Sequence, residues 1–221
     1  MTLEEYDAWY DTPRGRWIGE REWALVDQAL AVQAADSVLD VGCGTGWFTR
    51  QAQTRARQVV GLDIDGDALA LARRRSAELA GIARDAEARF VLGDAVRLPF
   101  ADRSFDKVMS ITALCFVPAW PQALAEIVRV CRNRFAIGLL NRHSWLHRRK
   151  GRGGGVGAYA GAHWHTATEV NAALRRLALP HCRIRYAIFD PSGSPAARAL
   201  EALVPASCPL GGFMLVAGRR A

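Results

Sequence analysis

A chain of 221 residues that is half hydrophobic and 23% charged can bury one sizeable core, which excludes general disorder and favours a single domain over residues 1–221. Its formal net charge of +7 would suit an acidic partner, but Arg142, Arg148, Arg149, Lys150 and Arg152 fall in one acid-free segment, so the excess is largely local.

In chain order, Tyr6, Trp9, Tyr10 and Trp17 crowd around Asp11-Thr-Pro-Arg-Gly-Arg, an aromatic density that makes residues 1–20 an arm covering part of the core. Trp23, Val26 and Leu30 recur at helical spacing between Arg21 and Ala34 and predict an amphipathic packing helix. Val38, Leu39 and Val41 then read as a short buried strand, followed at once by Gly42, Gly44 and Gly46 and by a helix from Trp47 to Ala56. A strand, a glycine turn and a helix let a ligand approach the main chain closely. The spacing Gly-x-Gly-x-Gly, with Asp40 inside the strand, is one residue shorter than the Gly-x-Gly-x-x-Gly of dinucleotide sites. In this it resembles the first motif of the class I S-adenosylmethionine-dependent methyltransferases, which Val38 to Gly46 matches throughout. An NAD-dependent oxidoreductase would need the longer spacing.

Gln58 to Leu62 is a second strand ending in Asp63, 19 positions beyond Gly44, close to the roughly 20-residue interval at which an acid reaches a ribose hydroxyl. The same aspartate could cap the next helix, which runs to about Leu79 before Gly81, but Asp65 and Asp67 are available for that task. A third strand, Ala88–Leu92, runs into Gly93-Asp94-Ala95-x-x-Leu98-Pro99-Phe100, which resembles a signature of the family's small-molecule members. The resemblance implies that Asp63 takes the ribose hydroxyls, Asp94 the adenine amino group and the Ala95 amide the ring. It implies a cofactor site drawn from Asp40, Gly42, Cys43, Gly44, Gly46, Asp63, Ile64, Asp94, Ala95 and Ser110. The cofactor would be S-adenosyl-L-methionine, leaving as S-adenosyl-L-homocysteine. The aromatic arm could then lie over the sulfonium, with Arg14 or Arg16 available to a carboxylate.

Ser104 to Ile111 predicts a fourth strand, at whose carboxyl end the acceptor should meet the methyl group. Ser110 to Ala113 lacks the Asn- or Asp-Pro-Pro-aromatic motif of nucleobase amine methylation, and Leu114-Cys115-Phe116 stands where many small-molecule members carry a histidine pair. A helix from Pro121 with Leu124, Ile127, Val128 and Cys131 on one face leads to a fifth strand, Arg134–Leu140. Residues 142–165 are basic and glycine-rich without sustained periodicity and read as a mobile lid insertion. Its basic stretch, 142–152, would suit an anionic substrate or an anionic membrane surface, or be only a solvated face. Thr166 and Glu169 have capping-box spacing ahead of a helix with Val170, Ala173, Leu174 and Leu177 inward. Strands over Arg183–Phe189 and Phe213–Gly218 flank a helix near Pro195–Leu203.

His143, His147, His163 and His165 cluster in this region, but no carboxylate or cysteine is expected close by, so no metal is expected. His143 and His165 are the candidate catalytic bases, because histidine titrates near neutral pH. The five cysteines, Cys43, Cys115, Cys131, Cys182 and Cys208, are odd in number and lack metal-ligand spacing, which argues against a disulfide framework. With an acidic, polar start and no apolar run near the roughly 20 residues that span a bilayer, the expected location is cytoplasmic.

The resemblance covers about Val26 to the end. It implies an α/β, Rossmann-like doubly wound seven-stranded sheet in the order 3-2-1-4-5-7-6, with the last strand antiparallel and helices on both faces. The group it is most similar to includes the quinone-biosynthesis methyltransferases of type 11. The implied activity is methyl transfer by in-line displacement to a small-molecule acceptor, anionic or lipid- or quinone-like. An RNA methyltransferase using the basic lid and a non-catalytic S-adenosylmethionine-binding module are the alternatives; nucleic acid is disfavoured by the missing motif.

Overall fold

A computed structural model describes residues 2–80, 88–179 and 181–220, so the expected helix stop at Gly81 lies outside the described residues. Seven strands form one sheet: β1 (Ser37–Val41), β2 (Gln58–Asp63), β3 (Ala88–Leu92), β4 (Phe105–Ile111), β5 (Cys131–Leu140), β6 (Arg183–Ala187) and β7 (Phe213–Arg219). Their order is β3-β2-β1-β4-β5-β7-β6, parallel throughout except for β7, which runs antiparallel to β5 and β6. This is the expected topology.

Both faces of the sheet are covered, which is why the central strands are apolar on both sides. Val38 of β1 joins Met109 and Ile111 of β4 in an apolar cluster under two helices, α2 (Pro13–Leu30) and α3 (Trp47–Gln53), while Leu39, Val41 and Val108 join the opposite cluster. That second cluster packs beneath α5 (Trp120–Val130) and α7 (Ala167–Arg176). Between these helices lie α4 (Gly66–Ala80) after β2, α6 (Trp145–Lys150) after β5, and α8 (Pro195–Leu203) between β6 and β7.

Two regions depart from the sequence expectation. The arm is helical: α1 (Leu3–Trp9) carries a capping box from Thr2 and Glu5, and α2 begins at Pro13, eight residues before the apolar periodicity at Arg21. Thr12 caps α2 by accepting from Gly15 N at 3.0 Å, and proline at the first helical position lacks only an N–H that would have had no partner. The 142–165 segment likewise carries a short helix that its sequence did not signal. Ser144 Oγ accepts from His147 N at 3.1 Å and starts α6, whose Leu146 is buried, as is Trp164.

Candidate functional site

The direction of the sheet order reverses between β1 and β4, and in such sheets ligands sit outside the carboxyl ends of the strands at that point. Gly42 and Gly44 leave β1 at φ of 73° and 53°, the left-handed region that favours glycine. A Cβ on Gly42 would lie 2.2 Å from Ala113 Cβ, whereas one on Gly44 would meet nothing within 4 Å, so the Gly44 main chain borders open space. Gly44 N donates to Asp63 Oδ2 at 2.6 Å and Asp65 N donates to Asp63 Oδ1 at 3.0 Å, which fixes the carboxylate at the cleft edge. Helix capping falls to Asp65, whose Oδ1 accepts from Asp67 N and Ala68 N. Asp94 Oδ1 accepts from Val96 N at 3.0 Å in the turn after β3.

These turns bound a cleft of about 570 Å³. Of the residues singled out in the sequence, Asp40, Gly42, Cys43, Gly44, Asp63, Ile64, Asp94 and Ala95 line it. Gly46 and Ser110 do not: Gly46 caps α3, and Ser110 is fully buried with its Oγ lacking a hydrogen-bond partner among the described residues. Asp40 is buried against α3, where Thr49 Oγ1 donates to its Oδ2 at 2.7 Å. Burial pushes the Asp40 carboxyl up to about 7 despite that bond. Burial also raises the Cys43 thiol, which therefore stays protonated and serves as cleft wall.

A second cavity of about 310 Å³ opens beside the first; Tyr6, Tyr10, Thr112 and Phe116 line both. Its remaining wall includes Arg14, Glu22, Lys150, Tyr159 and Phe213. Tyr10 stacks on Trp47 at 4.6 Å between ring centroids, joining the arm to the helix that follows the glycine turn. The arm is also tied by charge. Asp7, 4% exposed, accepts from Arg50 at 3.0 Å and pairs with Arg75 at 2.8 Å, while Arg50 donates onward to Thr45 O inside the glycine turn. Glu22 is partly buried among the arm tyrosines; burial, then the nearby Glu201 carboxylate, pushes it up to about 8.

Asp7 and Glu22 escaped the sequence reading, where Asp7 is one acid of a polar arm and Glu22 one charge on an amphipathic helix. The two candidate histidines lie elsewhere. His143 is exposed and His165 is fully buried beside Trp120, and neither lines the cleft or the second cavity. The expectation that no carboxylate approaches the histidines is overturned: Glu169 Oε1 lies 2.7 Å from His163 Nε2 and 3.2 Å from His165 Nδ1. The first turn of α7 brings Glu169 back onto them. The capping box is correspondingly half formed: Thr166 Oγ1 accepts from Glu169 N while the glutamate side chain turns to the histidines.

Residues 39–134 match the family model described as a methyltransferase domain, the type 11 group. Over that stretch the chain is similar to the methyltransferase domains of the type 11 group. The open space at Gly44 and the doubly anchored Asp63 carboxylate fit a nucleoside. The chain is 35% identical over 127 residues to the biotin biosynthesis bifunctional protein BioHC of Cellvibrio japonicus, a stretch that is 57% of this chain and 23% of that one. It is 36% identical over 117 residues to a malonyl-[acyl-carrier protein] O-methyltransferase of Pectobacterium atrosepticum, covering 53% and 41%. It thus spans less than half the length of these curated relatives. A solved S-adenosylmethionine-dependent methyltransferase from Thermotoga maritima shares the fold, with a TM-score of 0.72 at 21% identity over 99% of this chain and 96% of that chain. Among the described residues, no helix is long and apolar enough to cross a membrane.

Proposed function

We propose that this chain binds S-adenosylmethionine in the cleft bounded by the glycine turn and methylates a small molecule held in the adjoining aromatic cavity. The observation that carries the proposal is the confluence of the two cavities at Tyr6, Tyr10, Thr112 and Phe116. Asp63 takes the ribose hydroxyls through the lone pairs that Gly44 and Asp65 leave free, and Asp94 with the Ala95 amide meets the adenine. When bound, the cofactor supplies an activated methyl on a sulfonium, which leaves as a neutral thioether.

The protein's part is mainly positional. Tyr10 and Phe116 hold the acceptor at the mouth between the cavities, and the aromatic walls exclude water there. Glu22 faces the acceptor cavity and takes the proton that a hydroxyl or amine loses as its bond to the methyl carbon forms; a carboxyl poised near 8 suits that task. Lys150 and Arg14 on the same wall favour an acceptor that carries a negative group on an aromatic or apolar body. Malonyl-[acyl-carrier protein] is the acceptor named for one relative, which fits an anionic group.

The test is calorimetric titration with S-adenosylhomocysteine and, in parallel, NADH, followed by transfer of labelled methyl from S-adenosylmethionine to a panel of carboxylated aromatic and acyl compounds. Micromolar binding of S-adenosylhomocysteine alone and labelled product are expected. Binding without transfer to any acceptor would make the chain a cofactor-binding module, and binding of NADH alone would overturn the reading.

A further inference from the structure

We propose that His163, His165 and Glu169 form a binding site for a divalent transition metal of the zinc type, at the junction of β5 and α7 and outside both cavities. The first observation is an unmet buried ring. His165 is fully buried, and neither of its ring nitrogens has a hydrogen-bond partner among the described residues; the 3.2 Å approach of Nδ1 to Glu169 Oε1 lacks hydrogen-bond alignment. Buried polar atoms in native proteins are paired with protein, water or an ion, and an orphaned pair on one ring calls for such a partner.

The second observation is the spacing of the donor atoms. One nitrogen from each histidine and one Glu169 oxygen all lie within 4.8 Å of one another, with the two edges to the oxygen at 2.7 and 3.2 Å. Zinc bonds of about 2.0–2.1 Å in a tetrahedron set ligand-to-ligand edges of about 3.3 Å; the two edges to the oxygen stand within about 0.6 Å of that value, and the edge between the two nitrogens, at most 4.8 Å, closes as an ion draws the partly exposed His163 ring in. Two imidazoles and a carboxylate suit zinc, cobalt or nickel, whereas magnesium and calcium prefer oxygen donors alone.

The ligands stand on fixed backbone. His163 N donates to Cys115 O at 2.7 Å, His165 N donates to Leu140 O at 2.8 Å and His165 O accepts from Arg142 N, while Glu169 sits in the first turn of α7. Trp120 closes one side, parallel to the His163 ring and perpendicular to that of His165, with centroids 6.5 and 4.9 Å away. The His163 and Glu169 side chains are 47% and 30% exposed, which leaves the solvent side for a water as fourth ligand.

The experiment is titration of the chelator-treated protein with zinc by calorimetry and with cobalt by visible absorption. One equivalent is expected to bind with micromolar or tighter affinity, and cobalt to give the intense bands of a tetrahedral site. Glu169→Gln and, separately, His163→Ala, both at partly exposed positions, should each weaken binding at least tenfold while S-adenosylhomocysteine binding reports an intact fold. A His143→Ala/His147→Ala double variant, one residue just before α6 and one within it, should leave metal binding unchanged. No binding, or binding that survives Glu169→Gln and His163→Ala, or binding lost only in the double variant, would each overturn the site.

Discussion

The two cavities share a wall at Tyr6, Tyr10, Thr112 and Phe116 but are built in opposite ways. The cleft lies at the ends of four adjacent strands, and its residues from Asp40 to Ala95 lie in short motifs, each local in sequence. The second cavity is assembled from side chains of the arm, α2, the turn after β4, the 142–165 segment and the β6 and β7 ends, brought together only by packing. A cofactor that never varies can be met by backbone turns; an acceptor that differs from enzyme to enzyme is met by side chains that can change without disturbing the sheet.

The sharpest way to separate the two is Glu22→Gln. Turnover on the methyl acceptor is expected to fall by about 10²–10⁴, with S-adenosylhomocysteine affinity unchanged. The wild-type rate should rise with pH towards about 8, as the carboxyl ionises, and the variant should lose that limb. Equal loss of cofactor affinity would mean that the cavities act as one site.

Asp7→Ala tests the opposite claim, that the arm belongs to both. It strands Arg50, 9% exposed, beside a glycine turn it helps to hold. Breaking a buried pair by removing one partner costs about 3–5 kcal/mol, read from urea unfolding, and cofactor affinity should fall with it. A loss below about 1 kcal/mol would leave the aromatic stack of Tyr10 on Trp47 as the arm's main anchor. Asp63→Ala acts on the cleft alone and should weaken S-adenosylhomocysteine binding by about 1.5–3 kcal/mol, roughly tenfold to a hundredfold. A change under about twofold by calorimetry would remove the ribose role.

The same division explains what can be read from the sequence. The seven strands, the glycine turn and the cleft position of Asp63 are legible because each depends on a local pattern of apolar residues, turn glycines and spacing, whereas the strand order and the place of Asp94 are implied only by the family resemblance. Glu22 is not legible. Within Glu20-Arg-Glu22 it is one charge on an amphipathic helix, and only the arm tyrosines and Glu201 of α8 turn it into a desolvated acid. Glu169 is misread for a related reason: capping spacing from Thr166 accounts for its backbone, while its side chain answers to histidines that the chain reversal before α7 sets beside it.

The smallest expected effect lies at Asp40, where the cleft's polar wall meets the buried layer. Its folded carboxyl stands at about 7, above the roughly 3.9 of an unfolded aspartate, so the folded state holds a proton that the unfolded chain releases. Stability from this group is therefore present below about pH 4 and is lost as pH rises towards about 7. The Thr49 hydroxyl donates to Asp40 Oδ2 and favours the ionised form, which limits that loss. Thr49→Val should cost about 1 kcal/mol at pH 5, where a neutral hydrogen bond disappears, and roughly 2 kcal/mol at pH 8.5, where the bond lost is to a carboxylate. Urea unfolding at the two pH values measures the difference. An equal cost at both would mean that Asp40 ionises as an ordinary carboxylate does, and that the cleft carries a fixed negative charge beneath the glycine turn.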